Sequence, residues 1–204
     1  MTKPAFNLIV SFPSTWSLRA WLVLKLSGLD FTTTPVKLYQ PDTPARLRGL
    51  SDTLLVPVLH HNGFKVHDSL AIVEYVNELA SDRLLYPADR QQRALARSLC
   101  AELHSGFVQL RTQHSFFVGP HVQAQPTPPV KNELTRLQTL WDQAKAPFYF
   151  EHVGIVDAYY AVMAERLDVY GLELQGNAKH YQQQLLQWPL FQEGMEALQQ
   201  WQVP

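Results

Sequence analysis

LLVPVLHHNGFKVHDSLAIVEYV, residues 54–76, is the stretch against which the remainder of the chain is read. Val56, Val58 and His60 alternate as one face of an extended segment, and Phe64 and Val66 do the same in a second. Asn62-Gly63 between them suits a tight primed turn, so the two segments are expected to form a β-hairpin. Pro57 can donate no ladder hydrogen bond, which points to an edge position, a strand start or a cis peptide. Free backbone groups are then expected on the side of the chain at Val56 and Pro57. Asp68-Ser69 precedes apolar residues at Leu70, Val73, Val76 and Ala80, the spacing of a helix face, and either residue can cap that helix. N–H groups exposed at such a start attract a carboxylate.

Upstream, residues 6–11 (FNLIVS) read as a strand and residues 16–26 as a helix with Leu18, Trp21, Leu22, Leu24 and Leu26 apolar, ended by Gly28. Residues 31–38 read as a second strand, and residues 42–50 as a short irregular helix. The order is βαβ, then ββα. Downstream, residues 79–89 are polar and carry Pro87, as a linker does, and every periodic segment beyond them is helical. One long helix is expected over 89–117, with Leu95, Leu99, Leu103, Phe107 and Leu110 along a face. GPHVQAQPTPPV, residues 119–130, ends it with four prolines in twelve residues. Further helices are expected over 130–144, 155–169, 178–187 and 190–200. The expected architecture is a two-domain α+β fold: a sheet domain over 1–80, a linker over 81–88 and an all-helical bundle over 89–204.

The 204 residues are 46% hydrophobic, ample for a buried core. Seventeen Lys and Arg against eighteen Asp and Glu leave a net charge of −1, with no basic run to hold nucleic acid. The opening MTKPAFNLIV lacks the pattern of a signal peptide, and no apolar run approaches the roughly 18 residues of a membrane span. A cytoplasmic location is therefore expected. Cys100 is the only cysteine, which excludes an intrachain disulfide and a CxxC redox pair. The eight histidines form no HxxxH or HExxH spacing, and adjacent His60-His61 point to opposite sides of a strand, so no metal site is expected.

A strand ending in Val-Pro, a hairpin, and Asp-Ser opening a helix together resemble the glutathione transferase superfamily, whose N-terminal domain is a thioredoxin-like βαβαββα unit. Ser11-Phe12-Pro13-Ser14-Thr15-Trp16-Ser17-Leu18-Arg19 is similar to the Ser-Ser-x-Ser-x-Arg stretch of zeta-class and related bacterial transferases. RALARSLCAELHSGFVQLR (93–111) and GIVDAYYAVMAERLDVYGL (154–172) look like two helices of a bacterial subgroup. The resemblance thus covers nearly the whole chain.

That resemblance implies a cis Val56-Pro57 bond and a glutathione site made by Val56, Pro57, Asp68 and Ser69. Ser14 would be the catalytic hydroxyl beside the thiol and Thr15 the second hydroxyl position. Ser11, Thr15 and Ser17 stay open as alternative donors. Trp16 stands where zeta enzymes often have cysteine. Relatives usually carry Gly and then Lys or Gln before Val-Pro, where this chain has Leu54-Leu55. Leu55 cannot bond the peptide's glycine end, and Lys37 or Gln40 is left to substitute. Trp16, His104, Phe107 and Arg111 are expected to line the pocket for a small electrophile, while Asp157 belongs to a structural capping box. The implied activity is glutathione transfer, with a maleylacetoacetate-type isomerisation as one reaction, in a homodimer without metal. A transferase-fold binding module without catalysis is the alternative.

Overall fold

The computed structural model describes residues 5–80, 85–145 and 147–202. Four strands, β1 Phe6–Val10, β2 Phe31–Pro35, β3 Val58–His61 and β4 Phe64–His67, form one sheet in the order β2-β1-β3-β4. β2 is parallel to β1, and β3 is antiparallel to both β1 and β4. Asn62 (φ 50°) and Gly63 (φ 84°) make the primed turn that pairs His61 with Phe64. Helices α1 Thr15–Ser27, α2 Thr43–Leu47 and α3 Ser69–Leu79 complete the arrangement, so the thioredoxin-like expectation holds. Gly28 stops α1 at φ 73° and returns its N–H to the Lys25 carbonyl, a left-handed cap that a side chain would disfavour. Under the sheet, Ile9, Val36, Leu47 and Val58 are buried together, with Leu38, Leu50 and Val56 packed against them.

The helices that follow are α4 Arg90–Ser105, α5 Val108–Gln113, α6 Pro128–Trp141, α7 Ile155–Val169, α8 Gly176–Gln187 and α9 Pro189–Gln200. The chain divides into two compact units, Met1–Leu85 with Gln192–Pro204, and Tyr86–Phe191. The last residues are thus grouped with the sheet rather than with the helices before them. A Cβ on Gly194 would come within 3.0 Å of Leu22 and 3.1 Å of Leu18, a measure of how closely α9 lies on α1. The linker expected at 81–88 lies in part outside the described residues.

The long helix expected over 89–117 is two helices. Gly106 is extended (φ −98°, ψ −161°), and a Cβ there would sit 2.7 Å from the Glu102 carbonyl oxygen. Phe107 then takes the left-handed conformation, at φ 51°. The break leaves α5 with exposed amides, and Glu133 of α6 supplies their acceptor: its carboxylate takes the N–H of Gln109 at 3.0 Å and of Leu110 at 2.7 Å. Glu133→Ala should therefore lower stability by about 1–2 kcal/mol, with Glu133→Gln losing less, in thermal denaturation. An alanine variant within 0.5 kcal/mol of the parent, roughly the scatter of surface substitutions, would show the cap to be dispensable.

Candidate functional site

The strand directions decide where the sequence-predicted residues fall. Because β1, β2 and β4 run one way and β3 the other, the ends of β1, β2 and β4 and the start of β3 share one end of the sheet. Ser14 follows β1, Lys37 follows β2, Val56-Pro57 precedes β3, and Asp68-Ser69 follows β4. All of them are thereby placed at that end, with the N-termini of α1 and α3, two helices that pack on each other. Two sets of backbone N–H groups and two positive helix ends are thus directed to one place.

Val56-Pro57 is cis. β3 lies between β1 and β4, so the proline marks a strand start and not a sheet edge. Among the described residues, none forms a backbone hydrogen bond with Val56. A second cis bond, Phe12-Pro13, lies between β1 and α1 and had no sequence signal beyond the proline itself. The segment before Pro57 is tied down by side chains. Ser51 Oγ donates to the Leu55 carbonyl at 2.8 Å and accepts from its N–H at 3.2 Å, and His60 Nε2 lies 2.6 Å from the Leu50 carbonyl oxygen. Leu55 is 67% exposed, an apolar side chain in water.

Ser14 caps α1. Its Oγ accepts the Ser17 N–H at 3.2 Å, which leaves the hydroxyl proton as a donor at the positive end of a 13-residue helix with no acid in its first turn. The other hydroxyls separate by burial. Ser11 is fully buried and donates to the Phe12 carbonyl at 3.2 Å, and Ser17 is fully buried inside the helix. Thr15 is half-buried at the first position of α1 and stays open to a ligand. Trp16 is also half-buried, with the Arg19 guanidinium 4.6 Å over its ring. Arg19 is itself fully buried and donates to the Thr15 carbonyl at 3.3 Å, so its place is beneath the loop.

Asp68 caps α3 through Oδ1, which accepts from Leu70 N at 2.8 Å and Ala71 N at 3.3 Å. Its φ of 70° is the left-handed region, uncommon for a residue with a side chain and a strain that functional sites often hold. Ser69 beside it is 2% exposed. Lys37 is half-buried in the turn after β2, where Thr43 Oγ1 donates to its carbonyl at 2.9 Å. His104, Phe107 and Arg111 belong to the second unit. Arg111 Nη1 donates to the His104 carbonyl at 3.3 Å, and Phe107 is buried at the helix break.

Residues 13–79 match the family model described as glutathione S-transferase, N-terminal domain. A solved glutathione transferase homolog from Burkholderia, with bound glutathione, superposes at a TM-score of 0.73 and 27% identity, over 98% of this chain and 99% of that one. Residues 13–79 belong to the glutathione S-transferase N-terminal domain family. Glutathione S-transferase L1 of Arabidopsis thaliana is 28% identical across 80% of this chain and 67% of its own length. Maleylacetoacetate isomerase of Rattus norvegicus is 31% identical over 103 residues, so this chain spans about half of that enzyme. That domain match accounts for the N-terminal motif order in one step. Among the described residues, no group of three or more His, Cys, Asp or Glu is placed to hold a metal, and no helix is long and apolar enough to cross a membrane.

Proposed function

We propose that the chain is a glutathione transferase that activates the peptide's thiol for attack on a small electrophile. The observation that carries this reading is the capped helix start at Ser14, a hydroxyl whose oxygen is occupied and whose proton is free to donate. A free thiol of pKa about 8.5 is only a few per cent thiolate at pH 7, and a donor at a positive helix end raises that fraction. Val56, beside Pro57, would pair its backbone with the cysteinyl unit, and Asp68 and Ser69 at the start of α3 would hold the γ-glutamyl end. Thr15 is the second hydroxyl, and Lys37 the cation for the glycine carboxylate. His104, Phe107 and Arg111 of the second unit would line the electrophile's pocket. Reversible addition of the thiol would also support cis-trans isomerisation of a maleylacetoacetate-type substrate, a reaction named for the rat relative. A cytoplasmic homodimer is the assembly this reading expects.

One observation favours a second reading. The exposed Leu55 offers the glycine carboxylate nothing, as in a transferase fold that binds a partner without catalysis. Calorimetry with glutathione, followed by turnover of a generic aromatic halide, separates the two. Binding with turnover supports the transferase, whereas neither binding nor turnover supports the partner-binding module. Asp68→Ala should weaken glutathione by roughly tenfold or more while costing only about 1 kcal/mol of stability, because an unmatched ligand charge costs more than a lost cap. Unchanged affinity in a destabilised variant would reduce Asp68 to a cap.

A further inference from the structure

Beside the edge strand β2, the first unit carries a cleft of about 430 Å³. α1 contributes Trp21 to its wall, β2 contributes Thr33 and Pro35, and α9 with the residue after it contributes Glu193, Glu196 and Trp201. None of the residues assigned above to the peptide or to the electrophile lines it. The walls follow from local periodicity. Glu193 and Glu196 stand three apart on one face of α9, and Thr33 and Pro35 two apart on one face of β2. On the opposite face of β2, Thr32 and Thr34 donate their hydroxyls to Asn7 Oδ1 at 3.3 and 3.1 Å, so Thr33 is the strand threonine left to the cleft.

The two indoles lie deep and the two carboxylates lie at the mouth. Trp21 is 6% exposed and Trp201 4%, whereas Glu193 and Glu196 are exposed. Among the described residues neither indole N–H has a hydrogen-bond acceptor, and the Glu196 carboxylate has neither an ion pair nor a hydrogen bond. Glu193 is matched from within the chain: Lys25, one turn along α1 from Trp21, pairs with it and holds its ammonium 5.3 Å from the centre of the Trp21 ring. One ammonium is thus already seated between an aromatic face and a carboxylate, an arrangement favoured by the ring quadrupole. The cleft beside it keeps a second carboxylate, a second indole and a volume in the range of small-molecule sites.

We propose that this cleft binds a small organic cation, a primary ammonium carried on a flat apolar body. The ammonium pairs with Glu196, and the body lies against Trp201 and Trp21, where apolar burial and the ring faces both favour it. The Thr33 hydroxyl and the indole N–H groups are donors for an oxygen on the same molecule. A neutral or anionic molecule of the same shape forfeits the pairing with Glu196. The dimensions select a small molecule, since a protein partner needs about 800 Å² of surface on each side. The site lies within one unit and stands whether or not the chain binds glutathione.

The test is calorimetric titration of the full chain with phenethylamine, phenethyl alcohol and 3-phenylpropionate at matched ionic strength and neutral pH. The amine is expected to saturate with a Kd of about 1 mM or tighter, and the alcohol and the acid to bind roughly tenfold more weakly or not at all. Glu196→Gln, at an exposed position, should weaken the amine roughly three- to tenfold. Lys25→Met frees Glu193 and the face of Trp21 for the ligand and should tighten the amine by a similar factor. Lys131→Met, which removes the same charge from exposed α6, should leave the Kd unchanged. Absence of saturable amine binding, equal affinity for amine and alcohol, or an unchanged Kd in Glu196→Gln would overturn the proposal. So would an amine complex weakened in Lys25→Met, or one tightened equally in Lys131→Met.

Discussion

Replacing Ser14 by alanine is expected to raise the pKa of bound glutathione's thiol by about one to two units and to cut turnover at neutral pH roughly ten- to hundredfold. A hydrogen bond to a charged group is worth about 1.5–3 kcal/mol, and one pKa unit is 1.36 kcal/mol. The Ser14 oxygen already accepts from Ser17 N, so the proton is the part of the hydroxyl available to the sulfur. Its removal leaves the thiol protonated at neutral pH, and the deficit should close as pH rises through the raised pKa. The alanine variant also loses a helix cap worth about 1 kcal/mol. Ser14→Thr retains both functions, whereas Ser14→Asp retains the cap and repels the thiolate. Thiolate absorbance against pH in the bound complex measures the effect. A shift in Thr15→Ala with none in Ser14→Ala would move the role to Thr15, and no shift in either would favour binding without catalysis.

Replacing Asp157 by alanine should cost about 3–5 kcal/mol, a large part of the 5–15 kcal/mol that typically holds a domain together. Its carboxylate is fully buried and accepts three hydrogen bonds: Tyr149 N at 2.9 Å and the Tyr181 hydroxyl at 2.7 Å on Oδ1, and Gly154 N at 2.9 Å on Oδ2. Gly154 has no side chain to complete a reciprocal capping box, so Asp157 carries that helix start by itself. Alanine would leave three buried donors without an acceptor, each at roughly 1 kcal/mol or more. A fall in thermal midpoint of roughly 6–20 °C is expected. Asp157→Asn keeps one acceptor oxygen and relieves the desolvation of the charge, so it should cost less. An alanine variant within 1 kcal/mol of the parent would remove Asp157 from the framework of the unit.

Much of the first unit could be read before any coordinates. Asn62-Gly63 specified the hairpin turn and Gly28 the end of α1, while Pro57 left an edge, a strand start or a cis peptide open and only the family resemblance implied the cis bond found there. The span of α7 at residues 155–169 follows the expected one residue for residue, since its burial is nearly complete and its start is set three residues from Gly154. The candidate hydroxyls were legible only as a group of four. Burial and local bonding separated them, because Ser11 and Ser17 differ from Ser14 in what covers them and not in type.

The sequence by itself determined the order of strands and helices, the turn types and the residue classes at each helix start, because those signals act within three or four positions along the chain. Tertiary structure decided the rest. The long helix broke at Gly106-Phe107 and was recapped by Glu133, 24 residues from Gln109. Residues 192–204 were grouped with the sheet, and Arg166 was brought to His114 across 52 positions. Apolar periodicity marks which face of a helix is buried, yet a partner's identity depends on which surfaces the folded chain brings within a few ångströms. That selection is made by packing and hydrogen-bond satisfaction over the whole unit, and no local spacing encodes it.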